Sequence, residues 1–337
     1  MEWILYLLAG GAAVLASWAS TGLAHRLLRR HAILDHPNPR SSHVLPTPRG
    51  GGLGVMLALL PIWGILFTFF PSDPGVTLER WVLLGAAGFL AVISWVDDLR
   101  GLPPIPRLLC QAIAVAAVLF SLPSNAETFQ GILPPLLDRI ATGLLWVWFL
   151  NLFNFMDGID GIAGVETASL GFGVALVALL GSLSPDLCYL GITIAAVALG
   201  FLAWNWPPAK IFLGDVGSIP LGFLLGWLLL SLATAGHWAA ALILPLYYLA
   251  DSTLTLIRRL FSGKRIWEAH ASHFYQLASR RGLGHVGVVR IVLATNVGLL
   301  GLAVLASTGR PWFSLIVAIL LVAMVLGILQ NPFREKN

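Results

Sequence analysis

Residues 136–164 read LLDRIATGLLWVWFLNLFNFMDGIDGIAG, an apolar run that ends in a turn rich in Asn, Asp and Gly. As a helix, the run from 136 to 153 approaches the roughly 20 residues that cross the hydrocarbon core of a bilayer. Asp157 and Asp160 follow where that run ends, and a second apolar run begins directly after them. The stretch therefore predicts two membrane helices joined by a short acidic turn.

Similar apolar runs recur along almost the whole chain. Of its 337 residues 58% are hydrophobic and 11% are charged, which excludes an ordinary soluble domain. We predict an all-α, polytopic integral membrane protein in which residues 1–337 form one domain of about eleven transmembrane helices, with the active site on cytoplasmic loops. The predicted spans are 2–24, 53–71, 80–96, 107–122, 136–153, 162–181, 187–205, 218–236, 239–257, 287–307 and 311–330.

The distribution of Lys and Arg predicts the orientation in the membrane. Alternation of the spans puts 17 of the 20 basic residues on one side and leaves Arg80, Arg139 and Arg310 on the other. Cytoplasmic loops are enriched in Lys and Arg, so the basic side is predicted to be cytoplasmic, with the N-terminus outside and the C-terminus inside. The same bias explains the net charge of +4 without a nucleic-acid partner.

The second cytoplasmic loop begins with two adjacent acids, Asp97 and Asp98, in VDDLRG at 96–101. Neighbouring residues on a helix point about 100° apart, so one carboxylate can face a metal while the other faces a reacting group. Solvation of the helix end is the alternative. It is the weaker interpretation, because Asp at a helix C-terminus opposes the helix dipole.

In the third loop, polar residues recur at every third position: Asn151, Asn154, Asp157 and Asp160. On a helix this spacing predicts one slowly drifting face. Such a polar ladder in an apolar stretch needs partners, so ligand or metal binding is favoured over hydrogen bonds between helices. The glycines among these residues indicate a helix break.

The fourth loop, NWPPAKIFLGDVGS at 205–218, presents Asp215 between two glycines. A carboxylate in that setting can reach a cation, and Mg²⁺ often takes only one or two carboxylates from the protein. Carboxylates are costly near hydrocarbon. Several of them on one side of the bilayer therefore predict a site for a divalent cation and phosphate.

The first loop offers hydroxyl, imidazole and guanidinium groups that can meet phosphate oxygens. These groups belong to Ser41, Ser42, His43, Thr47 and Arg49. A positively charged turn that anchors the topology is the alternative.

The fifth loop is the most basic and holds His270 and His273, three positions apart. This spacing alone is a weak zinc signal, so contact with a diphosphate is favoured. Contact with anionic lipid head groups is the alternative for several arginines of this loop. Asp251, inside a predicted span, is interpreted as a structural residue paired with a basic group of the same side.

These five stretches together resemble the polyprenyl-phosphate N-acetylhexosamine-1-phosphate transferase family, and three of them carry its longest motifs. VDDLRG is similar to its Asp-Asp motif, NLFNFMDGIDGIAG to its Asn-x-x-Asn-x-x-Asp-Gly-x-Asp-Gly motif, and NWPPAKIFLGDVGS to its Asn-x-x-Pro-Ala-x-x-Phe-x-Gly-Asp-x-Gly-Ser motif. The resemblance runs from about Asp35 to His285 in the family's order of motifs. The family includes enzymes that start O-antigen and teichoic acid synthesis and the phospho-MurNAc-pentapeptide translocase of peptidoglycan.

The resemblance implies an enzyme of the bacterial inner membrane. It would transfer the sugar-1-phosphate of a UDP-N-acetylhexosamine to undecaprenyl phosphate and release UMP, with Mg²⁺ or Mn²⁺ as cofactor. The donor sugar, a homodimer, and the choice between a covalent Asp nucleophile and a single displacement are left open.

The resemblance also implies roles for individual residues. The metal ligands would be Asp215 and Asp97, and the catalytic residues Asp97, Asp98 and Asp160. The substrate-binding residues would be Asn154, Asp157, Asn205, Phe212 beside the uracil, His270, His273, Thr47 and Arg49.

The fifth loop departs from its relatives. The run His270-Ala271-Ser272-His273 has Ser272 where they carry an inner histidine, which argues against the peptidoglycan enzyme and favours the O-antigen-initiating branch. A secondary transporter is the alternative from another class of protein. It would place polar groups near the bilayer midplane and would often show inverted repeats. The chain shows no convincing repeat, and its acidic motifs lie at helix ends, so an enzyme is favoured.

Overall fold

The computed structural model describes residues 2–37, 45–69, 74–123, 126–264 and 270–331. These residues form α-helices, one π-helical turn and one two-stranded antiparallel sheet. In chain order the elements are α1 (Glu2–Arg30), β1 (Leu34–Asp35), β2 (Thr47–Pro48), α2 (Gly52–Phe69), α3 (Pro74–Arg100), α4 (Pro104–Ser121), α5 (Pro135–Phe155), α6 (Ile162–Leu180), α7 (Pro185–Asn205), α8 (Asp215–Thr234), α9 (Trp238–Ile243), α10 (Leu246–Phe261), α11 (Phe274–Ala278), the π-helical turn Ser279–Leu283, α12 (Gly284–Ser307) and α13 (Pro311–Gln330).

The structure confirms an all-α, multi-pass membrane protein. Within the described residues, ten helical segments are long and apolar enough to cross a membrane. The predicted span 239–257 differs from the others because it consists of two helices, α9 and α10, separated at Leu244 and Pro245. Proline has no backbone N–H and its ring clashes with the preceding turn, which accounts for the interruption.

Helices α6, α7 and α8 form the centre of the bundle. In α8, 89% of the residues of its apolar 18-residue stretch are buried inside the protein, compared with 22% in α1 and in α4. Close approach of α6 and α7 depends on Gly171 and Gly191, since a Cβ atom on Gly171 would lie 2.6 Å from the Gly191 carbonyl oxygen. Hydrophobic driving force is absent between helices in lipid, so such close packing is a main source of their association.

Alternation of the helices brings all five acidic or basic loops to one end of the bundle, which we call the site end. Helices α1, α3, α5, α7 and α10 finish there, and α2, α4, α6, α8 and α12 begin there. The first and fourth loops are joined by a parallel bridge between Arg49 and Phe212. A Cβ atom on Gly52 would lie 2.2 Å from Gly217 Cα, so the first turns of α2 and α8 touch through their backbones.

A polar pair inside the bundle gives a test of the packing. Asn296 on α12 donates a hydrogen bond of 2.7 Å to Glu166 Oε2 on α6. Within the described residues, Glu166 Oε1 and Asn296 Oδ1 are buried without a hydrogen-bond partner. An unsatisfied buried polar group costs about 1–3 kcal/mol, and a buried charge without an ionic partner costs more.

We therefore expect Glu166→Gln to keep or raise the melting temperature of the purified protein, because a neutral amide of the same shape can still accept the Asn296 hydrogen bond and cannot become a buried charge. Glu166→Leu should lower the melting temperature by several degrees, since it leaves the Asn296 amide unpaired in an apolar interior. Thermal unfolding in detergent measures both variants. Equal losses for Gln and Leu would contradict the pairing.

Candidate active site

A cavity of about 600 Å³ lies at the site end between α3, α4, α5, α8 and α10. Of the residues predicted to form the site, five line it: Asp97, Asn154, Asp215, His270 and His273. Residues at or beside the second, third, fourth and fifth loops therefore meet around one space large enough for a small-molecule substrate.

The cavity has a polar end and an apolar wall. Leu90, Leu108, Leu144 and Trp148 belong to the wall. Leu144 lies eleven residues before the end of α5, which corresponds to about 16 Å along a helix. The cavity thus extends from the acidic loops into the part of the bundle that faces the hydrocarbon region.

Among the described residues that line the cavity, Arg107 is the arginine at the polar end. In the sequence it was counted only among the residues that set the topology. Its Nη1 lies 2.7 Å from Asp97 Oδ2 and 3.4 Å from Asp215 Oδ2. The Arg107 side chain is 37% exposed. The sequence did contain a signal for this role, because Arg107 lies in the first turn of α4, the helix that follows the Asp97–Asp98 motif.

Asp97 and Asp98 have different partners, as their angular separation predicts. The Asp97 carboxylate accepts a hydrogen bond from Leu102 N at 2.6 Å and lines the cavity. Asp98 instead accepts hydrogen bonds from the backbone N–H groups of Asp215 at 3.1 Å and Val216 at 2.9 Å. A carboxylate at a helix N-terminus satisfies free donors and the helix dipole, so Asp98 fixes the start of α8.

Arg49 connects the first loop to the same acids. Its Nη2 lies 2.8 Å from Asp98 Oδ1 and 2.8 Å from Asp215 Oδ1. Burial by itself lowers the pKa of Arg49, but the charges of Asp98 and Asp215 outweigh burial and raise it above the ordinary value. The guanidinium therefore stays charged and holds the two acids together.

The polar ladder of the third loop does not lie on one helix face, so that expectation is wrong, whereas the predicted acidic turn between two helices is confirmed. Helix α5 ends at Phe155, and only Asn151 and Asn154 belong to it. Asp157 and Asp160 lie in the turn before α6. The cause is the glycine-rich sequence, which breaks the helix and places Gly161 at φ 80° directly before α6.

The two asparagines of α5 nevertheless point to neighbouring elements of the site. Asn154 Oδ1 accepts a hydrogen bond of 2.6 Å from Ser218 on α8. Asn151 Nδ2 donates a bond of 2.7 Å to Gln111 Oε1 on α4. Gln111 and Asn151 also line the cavity, although the sequence analysis did not select Gln111.

Asp160 and Asn205 join the third loop to the fourth. Asp160 Oδ2 accepts a hydrogen bond of 3.0 Å from Ala209 N and lies 3.2 Å from His285 Nδ1. Asn205 Oδ1 accepts a bond of 2.8 Å from Gly161 N. Both side chains are buried, and neither residue lines the cavity.

The remaining residues of the predicted site lie in the joint between the first and fourth loops. Thr47 donates its hydroxyl to Leu45 O at 3.0 Å, and Phe212 N donates to Pro48 O at 2.8 Å. Neither Thr47 nor Phe212 lines the cavity. Ser41, Ser42 and His43 lie outside the residues that the structure describes.

Asp157 shows that this region carries surplus negative charge. Burial, followed by the charge of Asp215, raises the pKa of Asp157 to about 7. Two arginines, Arg49 and Arg107, pair with the nearby acids. Among the residues that the structure describes, four carboxylates lie near these two arginines: Asp97, Asp98, Asp157 and Asp215.

This charge balance gives a pH-dependent expectation for the metal-free protein. An unfolded Asp has a pKa of roughly 3.9, whereas the pKa of Asp157 in the folded protein is about 7. The folded protein therefore loses free energy of unfolding as the pH rises from about 4 to 7, because the unfolded chain releases the proton more easily. Asp157→Asn should therefore raise the melting temperature in EDTA clearly at pH 8 and much less at pH 5. Thermal unfolding at the two pH values checks it, and an equal gain at both would contradict the assignment.

The donor set fits a divalent cation that is completed by substrate. Among the residues that the structure describes, no three His, Cys, Asp or Glu form a group that could enclose a metal. Mg²⁺ does not need such a group, because it commonly keeps waters and combines one or two carboxylates with substrate phosphate. Asp97 and Asp215 both line the cavity, and the surplus negative charge favours a cation there.

The two histidines lie at the same polar end. Their rings stack with centroids 5.0 Å apart, and the Ser272 hydroxyl lies 3.0 Å from His270 Nδ1. Burial, together with His273 and Arg259, lowers the pKa of His270 to about 4. His270 is therefore neutral near pH 7 and can act there as a hydrogen-bonding group.

Comparison with known proteins gives a consistent set of relatives. The model of Glycosyl transferase family 4 matches residues 80–233. The chain is 27% identical over 333 residues to the probable undecaprenyl-phosphate N-acetylglucosaminyl 1-phosphate transferase of Bacillus subtilis (strain 168), covering 93% of this chain and 90% of that protein.

Two further relatives match at similar identity. The decaprenyl-phosphate N-acetylglucosaminephosphotransferase of Mycobacterium tuberculosis (strain ATCC 25618 / H37Rv) is 28% identical over 330 residues, covering 85% of this chain and 78% of that protein. The phospho-N-acetylmuramoyl-pentapeptide-transferase of Rippkaea orientalis (strain PCC 8801 / RF-1) is 30% identical over 293 residues, covering 77% of this chain and 75% of that protein.

Proposed function

Since this chain belongs to the polyprenyl-phosphate N-acetylhexosamine-1-phosphate transferase family, we propose that it transfers N-acetylhexosamine-1-phosphate from a UDP-sugar to undecaprenyl phosphate and releases UMP. One observation carries the proposal. A single cavity joins acidic and basic groups suited to phosphates with an apolar wall suited to a polyprenyl chain.

Arg107 and the apolar wall support binding of the acceptor. A partly exposed guanidinium can form paired hydrogen bonds with a phosphate, and Asp97 holds Arg107 at 2.7 Å. The isoprenoid chain would follow the wall formed by residues such as Leu108, Leu144 and Trp148. The acceptor phosphate would then lie at the polar end, beside the acids.

Other residues of the polar end support binding of the donor. Asp215, Asn154 and His270 line it and can meet the diphosphate and the sugar. Asp215 and Asp97 would hold the Mg²⁺, which when bound neutralises diphosphate charge and polarises the phosphoryl oxygens.

The reaction needs positioning and charge stabilisation more than covalent help from the protein. A new bond forms between an acceptor phosphate oxygen and the sugar-linked phosphorus, the bond from that phosphorus to the bridging oxygen breaks, and UMP leaves. Arg107 orients the acceptor phosphate. Asp98 keeps the start of α8 in place through two backbone hydrogen bonds, and thereby keeps Asp215 beside the diphosphate.

The site end would face the cytoplasm of a bacterial cell, with the N-terminus outside and the C-terminus inside. Seventeen of the 20 Lys and Arg residues belong to the predicted cytoplasmic side, which agrees with the positive-inside rule. Ser272, in place of the inner histidine of peptidoglycan enzymes, supports a role in the first membrane step of an O-antigen-like polysaccharide.

A transfer assay tests the proposal. Membranes containing the protein are incubated with undecaprenyl phosphate and sugar-labelled UDP-N-acetylglucosamine, UDP-N-acetylfucosamine, UDP-N-acetylquinovosamine or UDP-MurNAc-pentapeptide. We expect label in butanol-soluble lipid, dependent on the acceptor and on Mg²⁺, with one of the first three donors. Exclusive use of UDP-MurNAc-pentapeptide would contradict the assignment of the fifth loop, and label trapped inside vesicles without lipid product would indicate a transporter.

A further inference from the structure

Asp251 on α10 is fully buried and has an unusually complete set of partners. Its carboxylate accepts hydrogen bonds from Tyr247 Oη at 3.2 Å and Thr255 Oγ1 at 3.3 Å. It also accepts bonds from Phe274 N at 3.0 Å and Tyr275 N at 3.1 Å. Burying a carboxylate is costly unless such bonds replace its hydration. The number of bonds therefore indicates that Asp251 fixes the position of the groups that donate to it.

What Asp251 holds is the histidine segment of the fifth loop. His273 Nδ1 lies 3.3 Å from Asp251 Oδ1, and His273 is the residue directly before the first turn of α11. A carboxylate facing Nδ1 fixes the orientation of the imidazole and leaves Nε2 as the free ring nitrogen. The position of this segment is therefore set by an acid 22 residues earlier in the chain.

The same contacts determine where His270 lies. Its ring stacks on that of His273 with centroids 5.0 Å apart, at an interplanar angle of 26°. Ser272, the residue that replaces the inner histidine, lies 3.0 Å from His270 Nδ1. Both imidazoles line the cavity, but His273 is only 2% exposed. His270 is thus the histidine more accessible to substrate.

A second connection leads from the same segment to the third loop. Tyr275 Oη donates a hydrogen bond of 3.0 Å to Phe155 O, the last residue of α5. A Cβ atom on Gly158 would lie 2.2 Å from Tyr275 Oη, so the Asp157 turn packs directly against this tyrosine. Asp251 therefore supports the histidines from behind and, through Tyr275, the edge of the acidic turn.

We propose that Asp251 is a positioning residue, which acts through His273 and the first turn of α11 to hold His270 at the diphosphate-binding end of the cavity. This inference rests on the proposed function for the identity of the ligand, a nucleoside diphosphate. Asp251 does not itself line the cavity. It sets the direction from which the His270 imidazole donates a hydrogen bond to a phosphate oxygen.

The test begins with Asp251→Asn, which keeps the shape of the side chain but turns one of its two acceptors into a donor. It cannot accept hydrogen bonds from both Phe274 N and Tyr275 N. Residues that orient metal-ligating histidines typically contribute about 10–100-fold. For a histidine that contacts phosphate we expect the lower end of that range, so the donor KM and the Kd for UDP with Mg²⁺ should rise about tenfold. The acceptor KM should stay within about twofold of wild type.

The matched control is Thr255→Val. It removes another hydrogen bond to the same carboxylate, but one that comes from α10 and not from the fifth loop. Its donor KM and UDP Kd should stay within about twofold of wild type. An equal loss of donor affinity in Thr255→Val would assign the effect to general loosening of α10 and overturn the inference.

A double-mutant cycle with His270→Ala separates positioning from stability. If Asp251 acts through His270, Asp251→Asn should weaken UDP binding less than about twofold further in the His270→Ala background. The same tenfold loss with and without His270 would overturn the proposal.

His273→Asn provides an independent variant if Asp251→Asn does not fold. Its amide can still donate to Asp251 from near the position of Nδ1, while the ring that stacks on His270 is lost. We expect an unchanged melting temperature and a UDP Kd raised about tenfold. Wild-type affinity for UDP in this variant would overturn the inference.

The wild-type protein in the same experiments distinguishes failure of the Asp251 role from failure of the proposed function. Wild-type protein that transfers sugar-phosphate while Asp251→Asn and His273→Asn bind UDP normally would remove only the role of Asp251. Wild-type protein that neither binds UDP nor makes lipid product would remove the proposed function and this inference with it.

Discussion

Asp215→Asn should reduce kcat by about 10²–10³-fold, the range lost when one transition-state charge contact of an active site is removed. Asp215 begins α8 and lines the cavity. Its two carboxylate oxygens face Arg49 and Arg107. No other side chain of the described site joins both arginines and the cavity, so an amide at 215 removes a charge that nothing nearby replaces.

Steady-state kinetics and thermal unfolding of the purified variant measure this effect. The matched control is Asp186→Asn, because Asp186 also lies in the first turn of a helix and pairs with an arginine, Arg80, but at the opposite end of the bundle. The control should keep wild-type kcat. Treatment of the wild-type protein with EDTA should remove activity, and added Mg²⁺ or Mn²⁺ should restore it. An Asp215→Asn enzyme with more than about a tenth of the wild-type kcat would refute the role given to this carboxylate.

The second large effect concerns the adjacent acids Asp97 and Asp98, whose Asn variants should differ in their loss of kcat and of melting temperature. Asp97→Asn should lower kcat about 10²-fold with little change in donor KM, because Asp97 faces the cavity and holds Arg107 at 2.7 Å. Its loss of melting temperature should be the smaller of the two, because only one backbone N–H, that of Leu102, donates to its carboxylate. Asp98→Asn should lower kcat and also the melting temperature. Asp98 accepts two backbone hydrogen bonds from the start of α8, and an amide has only one oxygen for them.

Kinetics and unfolding of these two variants, measured side by side, decide between the roles, since each is the control for the other. A change in donor KM alone, with kcat intact in both, would show that the pair only binds nucleotide. Equal losses of melting temperature would remove the distinction between an acid of the cavity and an acid of the α8 N-terminus.

The membrane helices could be predicted because apolar runs of about 20 residues fix both their existence and their alternation. Alternation alone brings Asp97, Asn154, Asp215 and His270 to one end, so their convergence in the cavity required no knowledge of side-chain contacts. The split of α9 from α10 at Pro245 was not anticipated, although proline is the usual cause of such an interruption.

Contacts between distant side chains could not be predicted. A spacing of three suggested one helix face for Asp157 and Asp160, but the glycine-rich turn after Phe155 overrides it. Arg107 was counted with the other arginines that set the topology, although its place in the first turn of α4, directly after the acidic motif, distinguishes it from them. Asp251 was interpreted as a structural residue, and its pairing with His273 depends on how α10 packs beside α11. Periodicity carries no information about packing of that kind.

Transfer of the sugar-linked phosphate itself is the most direct test of the central claim. Purified protein is incubated with undecaprenyl phosphate and the preferred UDP-N-acetylhexosamine, radiolabelled in the phosphate attached to the sugar. We expect that label to enter butanol-soluble lipid with release of one UMP per lipid product. Label that stays in the aqueous phase as UDP, while the sugar reaches the lipid, would mean transfer of the sugar without its phosphate and would contradict the proposed function.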